Sequence, residues 1–406
     1  MSDGSCSHAV CVCLNQHELI RKYHCDACDG VMMCACDEEF GRRFLSHQLS
    51  HGTELLTRKS MRVTDGFQPN ICAECRGLPA EPAPVAEGFG RTSKIKRYYW
   101  RELFFEETRR KADWDDANKG KTREERQLAH HKIEQAVLDD IKKLHATDPK
   151  YIFNDLSQAQ IFERYGVEVI DIRVEYAVGA QKGALIRAGN RVLSPEEYVT
   201  KIYQDDGWSV MRLESIPFHV LFGTMLWLLI QDPDDPQTQW VGFGERAAFK
   251  ATGQKTLQVW MSHPSDFGTQ GYYSRRKQAI ERHFELLPPE REQLLWLFDY
   301  WIDGSNLLRN YLWAHRPDDI DRSRRLIEIL QPFQIVSILH YLLGDYWGRY
   351  LGWPDLILHR DNEVLLLEVK SSGDKLSQDQ KDWIAGNWSD LQLPFKVVKL
   401  HRASTR

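Results

Sequence analysis

Two short apolar runs separated by a polar turn give the most specific structural prediction for this chain. Leu356–Leu358 and Val364–Leu367 are rich in β-favouring side chains, and the residues between them are polar and turn-prone. This pattern predicts a β-hairpin, with Asp355 at the start of its first strand and Glu368 and Lys370 at the end of its second. Because side chains two residues apart on a strand share a face, Glu368 and Lys370 should point the same way, with Asp355 beside them.

Other hydrophobic patterns predict the elements around this hairpin. Residues 167–174 alternate as a strand does, and residues 395–400 alternate weakly, as expected of an edge strand. Residues 218–229 form an apolar run that suits a buried helix but is too short, and too closely flanked by charge, to span a bilayer. Residues 91–146 have a helical periodicity with dense charge. Strands interspersed with helices predict an α/β fold.

The predicted hairpin brings two carboxylates and one ammonium together. Hard oxygen ligands suit Mg²⁺ or Mn²⁺, ions that keep several waters and bind phosphate oxygens directly. Such an ion polarises a phosphate and lowers the pKa of a bound water, and a lysine can orient that water or stabilise developing charge. The arrangement therefore predicts phosphodiester hydrolysis. The alternative is an amphipathic hairpin with a surface Glu–Lys pair, which the Pro354–Asp355 dipeptide and the strand spacing disfavour.

The segment that follows the second strand resembles a known family. Together with the hairpin carboxylates and lysine, the Leu-Ser-x-x-Gln-x-x-Trp run at 376–383 resembles the VRR-NUC branch of the PD-(D/E)xK nucleases. This resemblance implies a restriction-endonuclease-like core in which Ser377 opens a helix behind the site. It also implies these roles: Mg²⁺ or Mn²⁺ ligation by Asp355 and Glu368, a possible third ligand in the Val369 carbonyl, water orientation or charge stabilisation by Lys370, and a place near the catalytic centre for Gln380.

Residues farther upstream resemble the nuclease domain of the Fanconi-associated nucleases. A predicted helix and a short strand end at Glu214, which precedes an apolar helix with a Leu-Phe-Gly-x-x-Leu-Trp sequence at 221–227. In that family a glutamate at this place supplies a further metal-site carboxylate, and the resemblance implies this role for Glu214. The segment 263–287 is also similar to that family. Within it, Arg275 and Arg276 either contact DNA phosphates or lie on a solvated helix start.

An insertion of over a hundred residues, 231–334, separates the apolar helix from the hairpin. Minimal VRR-NUC domains lack it and are expected to pair as dimers, which suits symmetric cutting of four-way junctions. In the Fanconi-associated nucleases the insertion obstructs such pairing. The resemblance thus implies a monomeric nuclease domain that prefers 5′-flap or free-end DNA. Arg349, just before the hairpin, is expected to face the scissile strand.

All nine cysteines lie within the first 75 residues. Their Cys-x-x-Cys and Cys-x-Cys pairs, with several nearby histidines, suit tetrahedral structural Zn²⁺. The sequence has no apolar secretory segment before them, so the disulfides of an oxidising compartment are not expected. The best assignment has two sites, with His47 or His51 as competing ligands. The proposed ligands are Cys25, Cys28, Cys72 and Cys75 in one site and Cys11, Cys13, Cys34 and Cys36 in the other.

Composition and charge narrow the class of protein. The 406 residues are 42% hydrophobic, enough to fill the cores of two or three domains. A formal charge of −5 argues against a uniformly basic nucleic-acid coat but not against local binding. Basic and aromatic residues interleave at 91–101, where they either bind phosphates and stack bases or form a helix with separate basic and aromatic faces. The sequence has no Walker-type or G-x-G-x-x-G phosphate loop, so ATP-driven action is not expected.

These signals predict four regions: a zinc-binding module at 1–77, a Pro-rich linker at 78–90, a mostly helical connector at 91–190 and the nuclease domain at 191–406. The predicted function is that of a metal-dependent deoxyribonuclease in DNA repair or processing. It would act in the cytoplasm, on the nucleoid or in the nucleus, with the zinc module as a possible site for a protein partner. Two alternatives stay open: a mobile-element or anti-phage nuclease acting on foreign nucleic acid, and a non-catalytic zinc-containing DNA-binding adaptor. The intact carboxylates and lysine of the hairpin argue against the adaptor.

Overall fold

The computed structural model of the chain describes residues 22–24, 31–34, 90–177, 185–244 and 258–403. The chain divides into two compact units. The larger comprises residues 84–225, 268–302 and 312–406, and the smaller comprises residues 1–83, 226–267 and 303–311. The eight predicted zinc ligands, and the predicted linker before residue 90, lie outside the residues whose side chains the structure describes.

Most of the described residues lie in helices and strands. In chain order the helices are α1 (Arg91–Tyr98), α2 (Trp100–Ala117), α3 (Arg123–Thr147), α4 (Gln158–Tyr165), α5 (Pro195–Asp205), α6 (Ile216–Met225), α7 (Trp227–Ile230), α8 (Gln270–Glu285), α9 (Arg291–Trp301), α10 (Asn306–Tyr311), α11 (Pro317–Ile329), α12 (Pro332–Gly344), α13 (Tyr346–Arg349) and α14 (Gln378–Gly386). The strands are β1 (Lys22–His24), β2 (Val31–Cys34), β3 (Glu168–Val174), β4 (Ile186–Ala188), β5 (Arg191–Leu193), β6 (Ser209–Arg212), β7 (Thr238–Gly244), β8 (Gln258–Pro264), β9 (Leu356–Arg360), β10 (Glu363–Lys370) and β11 (Phe395–Arg402). A π-helical segment, Asn387–Leu391, follows α14.

A five-stranded mixed sheet with the strand order β3-β11-β10-β9-β6 organises the larger unit. The predicted hairpin is confirmed, because β9 and β10 are antiparallel and pair Arg360 with Glu363 and Leu356 with Leu367. Asp361 makes the turn in a left-handed conformation, with a φ of 52°, which aspartate tolerates better than most residues. β10 runs parallel to β11, and β11 runs parallel to β3.

Two features of this sheet differ from the sequence prediction. The sequence predicts an edge position for β11, but β11 lies inside the sheet between β10 and β3. Its alternation is weak because Val397, Val398 and Leu400 are all buried, as is usual for a strand covered on both faces. β3, which the sequence places in the connector, forms the edge and pairs with residues 396–402. The sheet therefore uses residues from both sides of position 191.

One face of the sheet packs against α5. Leu358, Leu367 and Val398 from the strands form a buried cluster with Val199 of the helix. Burying each such aliphatic side chain contributes roughly 1.5–3 kcal/mol. A capping box between Ser194 and Glu197, with a proline in the first helical turn, begins α5. These contacts fix the helix whose first turn reaches the hairpin carboxylates.

The first part of the predicted buried helix is confirmed as α6, in which the residues from Pro217 to Met225 are all buried. The rest of the predicted run forms the separate short helix α7, in which Leu228 is 47% exposed. A helix with no polar face packs on all sides, which explains its unbroken apolar sequence. Among the helices that the structure describes, none is both long and apolar enough to cross a membrane.

The charged helical pattern at 91–146 is confirmed as α1, α2 and α3. Tyr99 and Ile95 pack with Val137 of α3 in a small core of their own. The basic residues of α1 do not all face water, because Lys94 and Arg97 are each only 1% exposed. The structure thus places two of the candidate phosphate-binding cations inside the protein, whereas Lys96 is exposed.

The described part of the smaller unit holds the antiparallel strand pairs β1–β2 and β7–β8 and two short helices, α7 and α10. β7 and β8 pair along their whole length in antiparallel register. Leu308 and Tyr311 of α10 are buried. Gly304 allows the Trp227 ring of α7 to approach closely, since a Cβ there would lie 2.8 Å from the ring.

Candidate active site

The β9–β10 hairpin brings Asp355 and Glu368 side by side. Leu356 pairs with Leu367 across the hairpin, so the two residues just outside this pair are cross-strand neighbours. The Asp355 Oδ2 accepts a hydrogen bond of 2.7 Å from the Val369 N–H. The two carboxylates converge, as the alternation pattern predicts.

Lys370 and Gln380 complete a hydrogen-bonded cluster around Glu368. The Lys370 Nζ lies 2.9 Å from the Glu368 Oε1 and donates to the Gln380 Oε1 at 2.9 Å. The Gln380 Nε2 donates to the same Glu368 oxygen at 2.6 Å. Because Glu368 and Lys370 are only 3% and 8% exposed, these interactions are little screened by water and hold the three side chains in one arrangement.

Local sequence explains the position of Gln380. Ser377 caps α14 by accepting a hydrogen bond from the Gln380 N–H, and the Gln380 side chain accepts one from the Ser377 N–H. This capping box fixes the first turn of the helix. Gly352 makes room for that turn, because its φ is 85° and a Cβ there would lie 2.3 Å from the Asp379 carbonyl group.

The two hairpin carboxylates bind protons unusually tightly. Burial, followed by the charge of Asp355, raises the pKa of Glu368 to about 8 against the opposing effect of Lys370. Burial also raises the pKa of Asp355 to about 6, although the Val369 N–H and Lys370 oppose the rise. Two carboxylates that repel each other in a dry site form a pair that a cation would stabilise.

Glu214 stands next to this pair in a strained backbone conformation. Its φ is 52°, a left-handed value that costs a non-glycine residue about 1–2 kcal/mol. Its N–H donates to the Pro354 carbonyl at 3.1 Å, and the Leu213 N–H donates to the Asp355 carbonyl at 2.8 Å. After burial, the exposed Glu214 carboxylate also contributes to the raised pKa of Asp355. Strain of this kind is typical of functional sites.

The sequence prediction missed one further carboxylate, Glu196 in the first turn of α5. After burial, the charge of Glu196 also raises the pKa of Asp355, which places it within electrostatic range of the site. Its carboxylate lies 3.9 Å from the Arg212 guanidinium at the end of β6. The sequence signal that could have identified Glu196 is the adjacent pair Glu196–Glu197. The capping box of α5 needs only Glu197, so Glu196 is left for another role.

The donor set suits a hard divalent cation. Asp355 and Glu368, with Glu214 and Glu196 nearby, offer carboxylate oxygens, the ligands that Mg²⁺ and Mn²⁺ prefer. Among the described residues, no three such side chains already surround one point. In the structure Lys370 and Gln380 engage Glu368, and the Val369 N–H engages Asp355. The chemistry of the residues present fits Mg²⁺ or Mn²⁺.

The three arginines predicted to touch DNA make contacts with protein groups. The Arg349 Nη1 donates to the Tyr341 carbonyl at 2.8 Å, and its guanidinium lies 4.5 Å from the Tyr341 ring centre. Arg275 and Arg276 lie in the second turn of α8, where the Arg275 guanidinium is 5.8 Å from the Tyr272 ring centre. DNA contact stays a prediction for all three.

Comparison with known proteins agrees with this geometry. Residues 301–399 match the family model of the VRR-NUC domain. Over these residues the chain is similar to a VRR-NUC domain, which confirms the resemblance drawn from the hairpin and from the Leu-Ser-x-x-Gln-x-x-Trp run.

Its curated relatives are Fanconi-associated nucleases. The chain is 24% identical over 199 residues to the Fanconi-associated nuclease 1 homolog of Arabidopsis thaliana, covering 47% of this chain and 20% of that protein. It is 23% identical over 197 residues to Fanconi-associated nuclease 1 of Homo sapiens, covering 47% of this chain and 18% of that protein. The chain thus spans about a fifth of the length of these relatives. A crystal structure of paFAN1 bound to 5′-flap DNA aligns with a TM-score of 0.43 at 15% identity, covering 95% of this chain and 66% of that one.

Proposed function

We propose that the protein is a Mg²⁺- or Mn²⁺-dependent deoxyribonuclease that hydrolyses phosphodiester bonds in DNA repair or processing. The observation that carries this proposal is the buried cluster in which Lys370 and Gln380 converge on Glu368, one strand away from Asp355. Carboxylates beside a fixed ammonium meet the needs of phosphodiester hydrolysis, in which negative charge must be neutralised as it develops. Similarity to Fanconi-associated nucleases supports DNA as the substrate.

The role of each residue follows from its contacts. Asp355 and Glu368, with the Val369 carbonyl, are the groups that would hold the cation. When bound, that cation would polarise the phosphate and acidify an attacking water. The Lys370 ammonium has three donors, of which Glu368 and Gln380 take two. The third donor is left to orient the attacking water or to stabilise charge on the phosphate, while Gln380 keeps the ammonium in place.

We further propose a preference for 5′-flap or free-end DNA over intact four-way junctions. The helices α8, α9 and α11 of the insertion belong to the same compact unit as the sheet. These helices of the insertion therefore accompany the sheet, which supports the proposal that the insertion would obstruct pairing of two sites. One site per particle suits incision of a single strand.

The test is cleavage of labelled single-stranded, duplex, 5′-flap and four-way-junction DNA with Mg²⁺, with Mn²⁺ and with EDTA. Wild type is expected to cut with either metal and not with EDTA. Asp355→Asn and Lys370→Ala should each lower the rate by about 10²–10³-fold, since each removes a ligand or a charge stabiliser. Lys201→Ala is the matched control, because Lys201 pairs with Asp205 on the exposed face of α5. Cutting by both site variants at the wild-type rate would refute the assignment.

We also propose structural Zn²⁺ in the N-terminal module. Support comes from the paired spacing of its cysteines. Protein purified without chelator is expected to contain zinc. Cys25→Ser or Cys72→Ser should lower the zinc content and increase proteolysis of residues 1–80. The reason is that the binding energy of a structural zinc is folding energy in so small a module. Zinc-free wild-type protein with full protease resistance would contradict this proposal.

A further inference from the structure

A group of buried ions lies directly beside the candidate active site. Asp379 is 2% exposed, and its Oδ1 accepts hydrogen bonds from the Lys94 Nζ at 2.7 Å and from the Arg97 Nη2 at 2.5 Å. Lys94 also donates to the Asp382 Oδ2 at 2.8 Å. Both cations come from α1, and Lys94 is 285 positions from Asp379 in the sequence. Two cations and two carboxylates form a group with no net charge.

Asp379 adjoins the residue that organises the active site. It lies in the first turn of α14, next to Gln380, whose side chain bridges Glu368 and Lys370. Gly352 packs against the same turn. A Cβ at residue 352 would lie 2.3 Å from the Asp379 carbonyl group and 2.7 Å from the Gln380 backbone nitrogen. The turn is therefore held by α1 through ions and by residue 352 through backbone packing.

Stability alone does not explain why ions are used here. Taking charges out of water is unfavourable, and apolar residues of similar volume usually stabilise a fold as well or better. Moreover, the Arg97 Nε and Nη1 have no hydrogen-bond partner among the described residues although they are buried. Ion pairs instead constrain orientation. Two donors that bind one carboxylate oxygen restrict the rotation and sliding of the helix that carries the carboxylate.

We propose that Asp379, held by Lys94 and Arg97, is a positioning residue for the active site. It sets the first turn of α14, and through it the place of the Gln380 side chain between Glu368 and Lys370. α1 then serves the site from behind through its buried cations. The effect on turnover rests on the proposed nuclease function, whereas the effect on Gln380 does not.

The first experiment exchanges the buried ions for apolar residues. The triple variant Lys94→Met/Arg97→Met/Asp379→Leu replaces the three buried charges with apolar side chains and removes the directional bonds. Its melting temperature is expected to stay close to that of wild type, because apolar residues replace the buried ions and Asp382 keeps its hydrogen bonds from the Tyr151 hydroxyl and the Gln378 amide. Its kcat on 5′-flap DNA should fall about ten- to a hundredfold at unchanged KM, the loss that a misplacement of about 1 Å can cause. A folded triple variant with the wild-type kcat would overturn the proposal.

Two single variants decide the matter if the triple variant does not fold. Lys94→Met and Arg97→Met each leave one cation on Asp379, and each is expected to lower kcat several-fold. Full kcat in both would equally overturn the proposal. Asp319→Asn is the matched control, because Asp319 is also buried, at 1% exposure, and pairs with Arg322 at 2.5 Å on α11. This control should lose stability and keep the wild-type kcat.

A spectroscopic measurement separates positioning from catalysis. The side-chain amide signals of Gln380, assigned by their loss in Gln380→Leu, report directly on its bond to Glu368. They should shift in the triple variant and stay in place in Asp319→Asn. If wild type cuts no DNA, the nuclease proposal fails while these signals still test the positioning role. Unshifted Gln380 signals in the triple variant would refute that role whatever the activity.

Discussion

Glu214 occupies a left-handed backbone conformation between β6 and α6. Hydrogen bonds from residues 213 and 214 to the carbonyls of residues 354 and 355 hold it there. Glycine would adopt this conformation without strain, so a glutamate at the position needs another reason. The proposed metal site supplies one, because the charge of Glu214 acts on Asp355 and a carboxylate at this position could serve the same ion.

Substitutions at Glu214 should separate stability from activity. Both Glu214→Gly and Glu214→Ala remove the carboxylate and should strongly reduce cleavage. Glu214→Gly should be the more stable of the two by about 1 kcal/mol, because only alanine suffers from the positive φ. Urea unfolding in EDTA measures the difference. Asp361, which has the same φ of 52° in the hairpin turn, is the control: its glycine variant should keep full cleavage. Equal stability of the two Glu214 variants would contradict the left-handed backbone.

His219 predicts how stability depends on pH. It is 3% exposed, its Nδ1 lies 3.0 Å from the Tyr346 hydroxyl, and burial lowers its pKa to about 3. The unfolded chain, with an ordinary pKa near 6.5, binds the proton more tightly, so stability is fully present above that value and is lost as pH falls towards 3. The loss at pH 5 is about 2 kcal/mol. His219→Gln should remove this part of the decline in urea unfolding, and His131→Gln, on an exposed face of α3, should not.

At the scale of elements, the parts that the sequence reveals are local. The β9–β10 hairpin follows from apolar runs and a polar turn, and the start of α14 follows from the resemblance of the Leu-Ser-x-x-Gln-x-x-Trp run, whose Ser377 and Gln380 form a capping box in the structure. The contributions of Glu196 and of α1 are not local. Nothing near Lys94 in the sequence distinguishes a buried cation from a solvated one, because its partner Asp379 lies 285 positions away. The edge position of β3 escapes prediction for the same reason.

The contact between the hairpin and α14 can be tested with glycines. Gly352→Ala adds a methyl group 2.3 Å from the Asp379 carbonyl group at a residue with a φ of 85°. It should destabilise the protein by about 1–3 kcal/mol and lower cleavage by displacing Gln380. Gly373→Ala is the control, because nothing lies within 4 Å of a Cβ there. A neutral Gly352→Ala variant would show that the turn of α14 has room to move.

At the scale of the whole molecule, the sheet combines distant segments of the chain. Helices of the insertion, the connector helix α1 and the strand β3 all belong to the larger unit. Composition and motif spacing predict the hairpin of the candidate active site, yet they assign β3 and α1 to a separate region. The sequence of one strand does not predict which strand it pairs with, because each strand is compatible with many partners.

The full chain is expected to be a monomer in solution. Light scattering during gel filtration should give a mass near 47.4 kDa at micromolar concentration if, as proposed, the insertion obstructs pairing of two sites. Junction cleavage measured on the same preparation links mass to activity. A stable dimer that cuts both strands of a four-way junction symmetrically would contradict both the monomer and the flap preference.

The ions between α1 and α14 also have a consequence during synthesis. At about 5–20 residues per second, α1 leaves the ribosome roughly 15–60 s before Asp379 is made. An apolar face on α1 would spend that interval exposed and prone to aggregate, whereas Lys94 and Arg97 stay hydrated until their partner arrives. The active site, in turn, cannot be completed on a nascent chain that lacks α14. The charges on α1 thus avoid a further exposed apolar surface on the unfinished chain.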